Sequence, residues 1–132
     1  MMKKMKIEHI AVASNSEINS DKFYIGLLNL QKVRSFSVSK DMMNQFFGVN
    51  KEQYIIRYSN ELVSIEVFIM NDNEKSLDTF THTCLIIEDR DKLVDNAMKN
   101  GYPVIKVPRE GSEKYYLFIK DDFGNLFEIK SP

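Results

Sequence analysis

The sequence runs through one order of features twice, and that duplication narrows the folds open to it more than any other property. Each copy starts with a histidine beside an apolar run and closes with a glutamate set inside another: His9 then Glu66, and His82 then Glu128. The first interval covers 57 positions and the second 46, so the copies differ by one surplus of 57 − 46 = 11 residues. Each copy opens with a stretch dense in apolar and β-branched residues, Ile7 to Val12 and Thr81 to Ile87, which predicts a strand. A helix is expected next in both. In the first copy several N-cap candidates lie between Ser14 and Ser20, then Phe23, Tyr24, Leu27 and Leu28 recur at helical spacing, with Asn29 near the stop. In the second, Asp89 precedes Leu93, Val94, Ala97 and Met98, and Asn100-Gly101 ends the run just before Pro103.

Three extended segments follow each helix. They are Lys32 to Ser39, Gln53 to Tyr58 and Leu62 to Met70 in the first copy, and Val104 to Val107, Tyr115 to Lys120 and Leu126 to Lys130 in the second. The closing hairpins turn at Ser59-Asn60-Glu61 and at Asp121 to Asn125, where Gly124 and Asn125 tolerate positive φ. Laying Glu66 on Glu128 without a gap puts Tyr54 on Tyr116. The surplus falls in Asp41 to Gly48, a short helix rich in Met42, Met43, Phe46 and Phe47, which either fill the core or roof a pocket. The pattern per copy is β-α-β-β-β. The fold class expected is α+β, one domain over residues 1–132, with module one at 5–70, a polar linker at 71–78 and module two at 79–131.

Strand parity then gives the candidate site its geometry, because alternate residues of a strand share a face. Glu66 falls with Leu62, Ser64 and Phe68, while Val63, Ile65, Val67 and Ile69 form an opposite face suited to packing under a helix. Glu128 falls with Leu126 and Lys130, against Phe127 and Ile129. His9 goes with Ala11 and Ala13, and His82 with Cys84 and Ile86. A carboxylate in an apolar strand either meets solvent or needs a partner, since burying it unpaired costs several kcal/mol. One such residue is weak evidence, and a lone strand histidine is more often a hydrogen-bonded structural residue. Four at matched positions of a duplicated unit favour a shared divalent cation held by His9, Glu66, His82 and Glu128, with Zn²⁺, Ni²⁺, Co²⁺, Mn²⁺ and Fe²⁺ all compatible. If the sheets curl so that these faces line a cleft, the four converge.

Composition excludes several classes. Eighteen basic and nineteen acidic residues give a net charge of −1 with no basic stripe, so nucleic acid is not an expected partner. No segment has the length and apolarity of a membrane span, and the start does not read as a signal peptide, so a cytoplasmic location is expected. Cys84 sits in an apolar run away from lysine and arginine, the setting of an inert buried thiol. Tyr115 and Tyr116 alternate, so one belongs to the core and the other to the open face. Arg34, Arg57 and Lys106 are candidate contacts for an anionic substrate.

The sequence resembles the glyoxalase, bleomycin-resistance and dioxygenase group, the vicinal oxygen chelate superfamily. The carriers are His9-Ile10-Ala11-Val12, Phe23-Tyr24 with Leu27-Leu28, Ile65-Glu66, His82-Thr83 and Asp121 to Glu128, where relatives more often have proline at the place of Asp122. The resemblance implies two βαβββ modules forming an open curved barrel around one divalent metal per chain, a small-molecule substrate, and a homodimer. A complete His, Glu, His, Glu set looks most like glyoxalase I. That implies a metal-dependent lyase or isomerase moving a proton between adjacent carbons of a hemithioacetal through an enediolate, with Glu128 as the mobile base and Glu66 its partner. Ala13 and Met70 stand where glutathione-using relatives carry a basic residue and an amide. The alternatives are an acyl-thioester epimerase of the methylmalonyl-CoA type and a non-catalytic binder of small molecules such as antibiotics.

Overall fold

A computed structural model describes residues 5–71, 75–111 and 114–132. The elements follow the duplicated order. Strand β1 (Ile10–Ser14) leads into helix α1 (Glu17–Ser20), which widens into a π-helical segment (Asp21–Leu27). Strand β2 (Gln31–Val38), helix α2 (Lys40–Phe47), β3 (Gln53–Ser59) and β4 (Ser64–Ile69) complete module one. Module two has β5 (His82–Ile86), α3 (Arg90–Lys99), β6 (Val104–Pro108), β7 (Tyr115–Lys120) and β8 (Leu126–Lys130). Part of the expected linker, residues 72–74, lies outside the described residues.

Local chemistry sets the helix limits. Ser16 caps α1 by accepting from the Asn19 amide at 3.1 Å, Ser39 caps α2, and Asp89 caps α3 through the Lys92 amide at 3.0 Å. Asn29 ends the first helix with φ at 60°, one of the few non-glycine residue types that enters the left-handed region readily. The π-helical widening puts the adjacent residues Phe23 and Tyr24 both in the core with no exposed surface.

Each module forms a four-stranded mixed sheet, in the orders β1-β4-β3-β2 and β5-β8-β7-β6. In both, the first strand runs parallel to the last and the other pairs are antiparallel. The architecture is α+β, and the sheets do not close into a barrel. A single apolar cluster joins them. Phe23, Tyr24 and Leu27 from the first helix and Leu93, Val94 and Ala97 from α3 meet Ile56, Tyr58, Ile65 and Val67 of sheet one and Leu117, Ile119, Phe127 and Ile129 of sheet two. Phe23 stacks near Phe127 at 5.6 Å while Tyr24 lies over Tyr58 at 5.3 Å, so neighbouring side chains of one helix reach both sheets. Each such side chain contributes about 1.5–3 kcal/mol by leaving water.

A polar pin crosses between the modules inside this core. The Tyr24 hydroxyl donates to Asp121 Oδ2 at 2.9 Å, and Asp121 Oδ1 accepts from the amides of Phe123, Gly124 and Asn125. Asn125 Nδ2 donates back to the Ala13 carbonyl of β1 at 2.7 Å. The Asp121 to Asn125 turn takes its positive φ at Gly124 alone (101°), and Asn125 serves through its side chain. Burial pushes the Asp121 carboxyl up from its ordinary value, opposed by these donors, and burial pushes the Tyr24 hydroxyl well up too.

Register corrects the ungapped match of the two hairpins. Arg57 faces Glu66 across β3 and β4, while Phe118 faces Glu128 across β7 and β8. The second hairpin turn is therefore one residue longer, since 128 − 118 = 10 against 66 − 57 = 9. Tyr54 then corresponds to Tyr115, not Tyr116. Tyr115 packs against the core and Tyr116 is exposed, which fits their expected alternation.

Candidate metal centre

The parity read from sequence decides where the site residues sit. Ile65 and Val67 point into the core with no exposure, and Phe127 and Ile129 do the same in sheet two. Glu66 and Glu128 therefore lie on the outer faces, away from the first helix and α3. Each has beside it the histidine from the start of the parallel neighbouring strand: His9, just before β1, and His82, the first residue of β5. His9 Nε2 stands 3.4 Å from Glu66 Oε1, and His82 Nε2 stands 3.4 Å from Glu128 Oε1. The side-chain exposures also repeat, at 38% and 15% for the first pair and 38% and 16% for the second.

The far side of each imidazole is occupied as well. His9 Nδ1 lies 2.6 Å from Glu8 Oε1, and His82 Nδ1 lies 2.9 Å from the Phe80 carbonyl oxygen. A carboxylate and a carbonyl can only accept, so Nδ1 is the donor toward them in both rings, and in the neutral imidazole Nε2 on the glutamate side is then the nitrogen with the free lone pair. That is the arrangement of a metal-ligating histidine held by a hydrogen bond behind it. The 3.4 Å separation fits too: two donors about 2.1 Å from one ion, 90–109° apart, stand roughly 3.0–3.4 Å from each other. Each pair thus has the shape of one edge of a coordination shell.

The pairs do not merge within one chain. Among the described residues no group of three or more His, Cys, Asp or Glu comes close enough to hold a metal ion. The reason is the shared core: it takes the inner faces of both sheets, so both ligand faces turn outward.

The surroundings of the two pairs differ. Arg57 Nη1 lies 3.5 Å from Glu66 Oε2, its Nη2 donates to both Glu8 oxygens at 2.7–2.8 Å, and its Nε donates to Ser64 Oγ at 2.6 Å. Arg57, with His9, holds the Glu8 carboxyl down at about 2. Arg34 is the register partner of Arg57 on β2, with its guanidinium 4.3 Å from the Phe36 ring. In module two Phe118 takes the place of Arg57 and meets the His82 ring edge-on at 5.8 Å. Lys106 lies over the Tyr115 ring at 4.3 Å, away from Glu128. Cys84, expected to be buried, is exposed: it shares the outer face with His82 and is the register partner of Glu128.

Helix α2 covers part of the outer face of sheet one. Met43 is buried, Phe47 packs edge-on against Phe68 at 5.7 Å, and Met42 and Phe46 stay exposed. Beneath α2 lies an apolar cavity of about 410 Å³ lined by Ala11, Ala13, Met43, Phe47, Phe68 and Met70. Two of the four large α2 residues thus roof a pocket, and its wall includes Ala11, the register partner of Glu66.

Reading the sequence alone misses Glu8 and leaves Arg57 without its contacts. The signals were present. Glu8 immediately precedes the first ligand, and counting back from the turn at Asn60 puts Arg57 opposite Glu66.

Comparison with known proteins agrees with this architecture. The glyoxalase family protein from Enterococcus faecalis superposes with a TM-score of 0.69 at 14% identity, covering 94% of this chain and 95% of that one. A glyoxalase family protein from Bacillus cereus gives 0.78 at 14% identity, covering 98% and 95%. The fosfomycin resistance protein FosX from Listeria monocytogenes, in its complex with Mn(II) and sulfate, gives 0.67 at 14% identity over 100% and 94%. No curated protein matches by sequence. A family model does match, across residues 6–129, and on that ground the chain belongs to the Glyoxalase/Bleomycin resistance protein/Dioxygenase superfamily.

Proposed function

We propose that the protein is a divalent-metal-dependent lyase or isomerase of glyoxalase I type, acting as a homodimer. The observation that carries this reading is the repeated pair: an imidazole with Nδ1 spent on an acceptor and Nε2 turned to a glutamate oxygen at 3.4 Å, once in each module. A structural histidine has no need of this arrangement twice. His9, Glu66, His82 and Glu128 together are the nitrogen and oxygen donors that zinc, nickel, cobalt, manganese or iron accepts, and the Listeria FosX is itself a Mn(II) complex.

Because the pairs face outward on separate sheets, a four-donor site requires a second copy, with half-site one of one protomer facing half-site two of its partner. The outer face of sheet two supports this assembly: Ile86, Ile105, Val107 and Tyr116 are all substantially exposed. Apolar surface of that kind gains by being covered.

When bound, the cation supplies a Lewis acid for adjacent substrate oxygens and so acidifies the neighbouring C–H. The remaining work falls to the chain. Glu128, with Phe118 across the strand pair, removes a proton from one carbon and returns it to its neighbour. Glu66, held by Arg57, stays as a ligand. The open apolar pocket beside α2 takes the apolar part of the substrate. Epimerisation of an acyl thioester would use the same proton transfer. The departures at Ala13 and Met70 favour a thiol other than glutathione.

Elemental analysis of purified protein, alongside a Glu66→Ala, Glu128→Ala double variant, tests the reading. About one divalent metal per chain, lost in the variant, is the expected result. A native protein that holds no metal and takes none up on reconstitution overturns it in favour of a metal-free binding module.

A further inference from the structure

Half-site one closes into a ring that half-site two lacks. Starting from His9 Nε2, the contacts run to Glu66 Oε1 (3.4 Å), from Glu66 Oε2 to Arg57 Nη1 (3.5 Å), from Arg57 Nη2 to Glu8 (2.7–2.8 Å), and from Glu8 Oε1 back to His9 Nδ1 (2.6 Å). Module two interrupts this ring twice, with Phe118 at the position of Arg57 and Thr81 at that of Glu8. We infer that Glu8 and Arg57 are positioning residues, a charge-neutral brace that fixes both the His9 ring and the Glu66 carboxylate so that half-site one is assembled before any cation arrives. This rests on the metal-site reading above and adds to it the device that prepares one half.

The chemistry of the four groups requires this division. Glu8 only accepts, so its contact commits the proton to His9 Nδ1 and frees Nε2 as donor. The planar guanidinium offers nitrogens in two directions, which lets one side chain grip Glu8 and face Glu66 together; an ammonium has no such fork. Arg57 alone beside Glu66 would repel an incoming cation. Glu8 cancels that charge, leaving the trio at −1, the same as Glu66 by itself. Stability is not the purpose, since Glu8 is 65% exposed and ion pairs at that exposure contribute little. Ser64 Oγ, at 2.6 Å from Arg57 Nε, fixes the base of the fork.

The test uses the full chain, ¹⁵N-labelled and metal-free. Long-range ¹H–¹⁵N correlation spectra report the tautomer of each imidazole, and with two histidines in the sequence a His82→Ala sample completes the assignment. In Glu8→Ala the His9 nitrogens should lose their single-tautomer pattern while the His82 nitrogens stay unchanged and report an intact fold. Calorimetric titration with Mn²⁺ should show affinity weakened about tenfold or more in Glu8→Ala. A Glu8→Ala, Arg57→Leu double variant should regain part of that loss, because the uncompensated guanidinium is gone; a merely structural role would make the double variant worse than the single one. An unchanged His9 pattern in Glu8→Ala overturns the brace, and so does a double variant that binds Mn²⁺ no better than the single when the wild type does bind it. Loss of the His9 tautomer in a protein that takes up no Mn²⁺ at all supports the brace and rejects the metal reading, so the two failures are distinct.

Discussion

The two half-sites hold the same pair of ligands in opposite company. Across sheet one the register row reads Ala11, Glu66, Arg57, Arg34, and across sheet two it reads Cys84, Glu128, Phe118, Ile105. One glutamate is faced by a guanidinium and the other by a phenyl ring. The pair itself is repeated to within 1% in exposure and at the same 3.4 Å distance. Duplication has kept what touches the proposed cation and let the supports diverge. A carboxylate already answered by a cation in its own sheet suits a fixed ligand. One set against Phe118 and Cys84 has fewer fixed attachments and suits a group that must move.

The contrast yields a largest expected effect. In whichever substrate class turns over, Glu128→Gln should lower kcat by about 10²- to 10⁴-fold, the range for removing a general base, while retaining most of the bound metal. Glu66→Gln should lose metal first. Steady-state rates and metal content of both variants decide the matter: equal losses of metal with equal losses of rate would erase the division of labour.

A smaller effect comes from making the half-sites alike. Phe118→Arg puts a cation opposite Glu128 with Thr81, not a carboxylate, at the balancing position. At an effective dielectric typical of protein surfaces one such charge at about 4 Å acts with a few kcal/mol at most, so Mn²⁺ affinity should fall by about tenfold. Calorimetry that finds no loss would mean that charge balance does not tune these sites.

The smallest effect is acid sensitivity confined to half-site one. Glu8 is lowered from 4.5 to about 2 by Arg57 and then His9. A depressed carboxyl contributes stability above its unfolded value, and that contribution fades as pH drops from about 4.5 toward 2. The unfolding midpoints of the wild type and Glu8→Ala should therefore differ slightly at neutral pH and converge near pH 2. Asp78, lowered from 3.8 to about 2 by Thr81, weakens over the same range in both proteins and does not alter the difference. Parallel curves down to pH 2 would show that the Glu8 contacts carry no stability.

Much of this fold was legible in the sequence. Period-two alternation in Ser64 to Ile69 assigned Glu66 its face correctly, because the inner residues Ile65 and Val67 have no other place to go. Cap candidates between Ser14 and Ser20 and at Asp89, with stops at Asn29 and Asn100-Gly101, matched the first helix and α3 to within a few residues. Parity, however, assigns a face without saying which way the sheet presents it. The expected convergence of four ligands needed both faces to meet, whereas the cluster built on Phe23 and Tyr24 draws the opposite faces together. Cys84 misled for the same reason: an apolar run hides only the half of its residues that points toward the helices. The slip between Tyr54 and Tyr116 came from a one-residue difference in turn length, and the π-helical segment left no mark that helical spacing could detect.

The pin made by Tyr24, Asp121, Asn125 and Ala13 carries a consequence for how the molecule comes apart. A duplicated chain with two separate sheets invites two separate melting events. Here, withdrawing either module would break the Tyr24–Asp121 and Asn125–Ala13 hydrogen bonds, a net loss of about 0.5–3 kcal/mol each, on top of the apolar surface Phe23 would expose. Partial opening is thereby penalised from both sides. The two copies gain folding cooperativity from one another, and each lends its rigidity to a ligand pair on the opposite surface of the molecule.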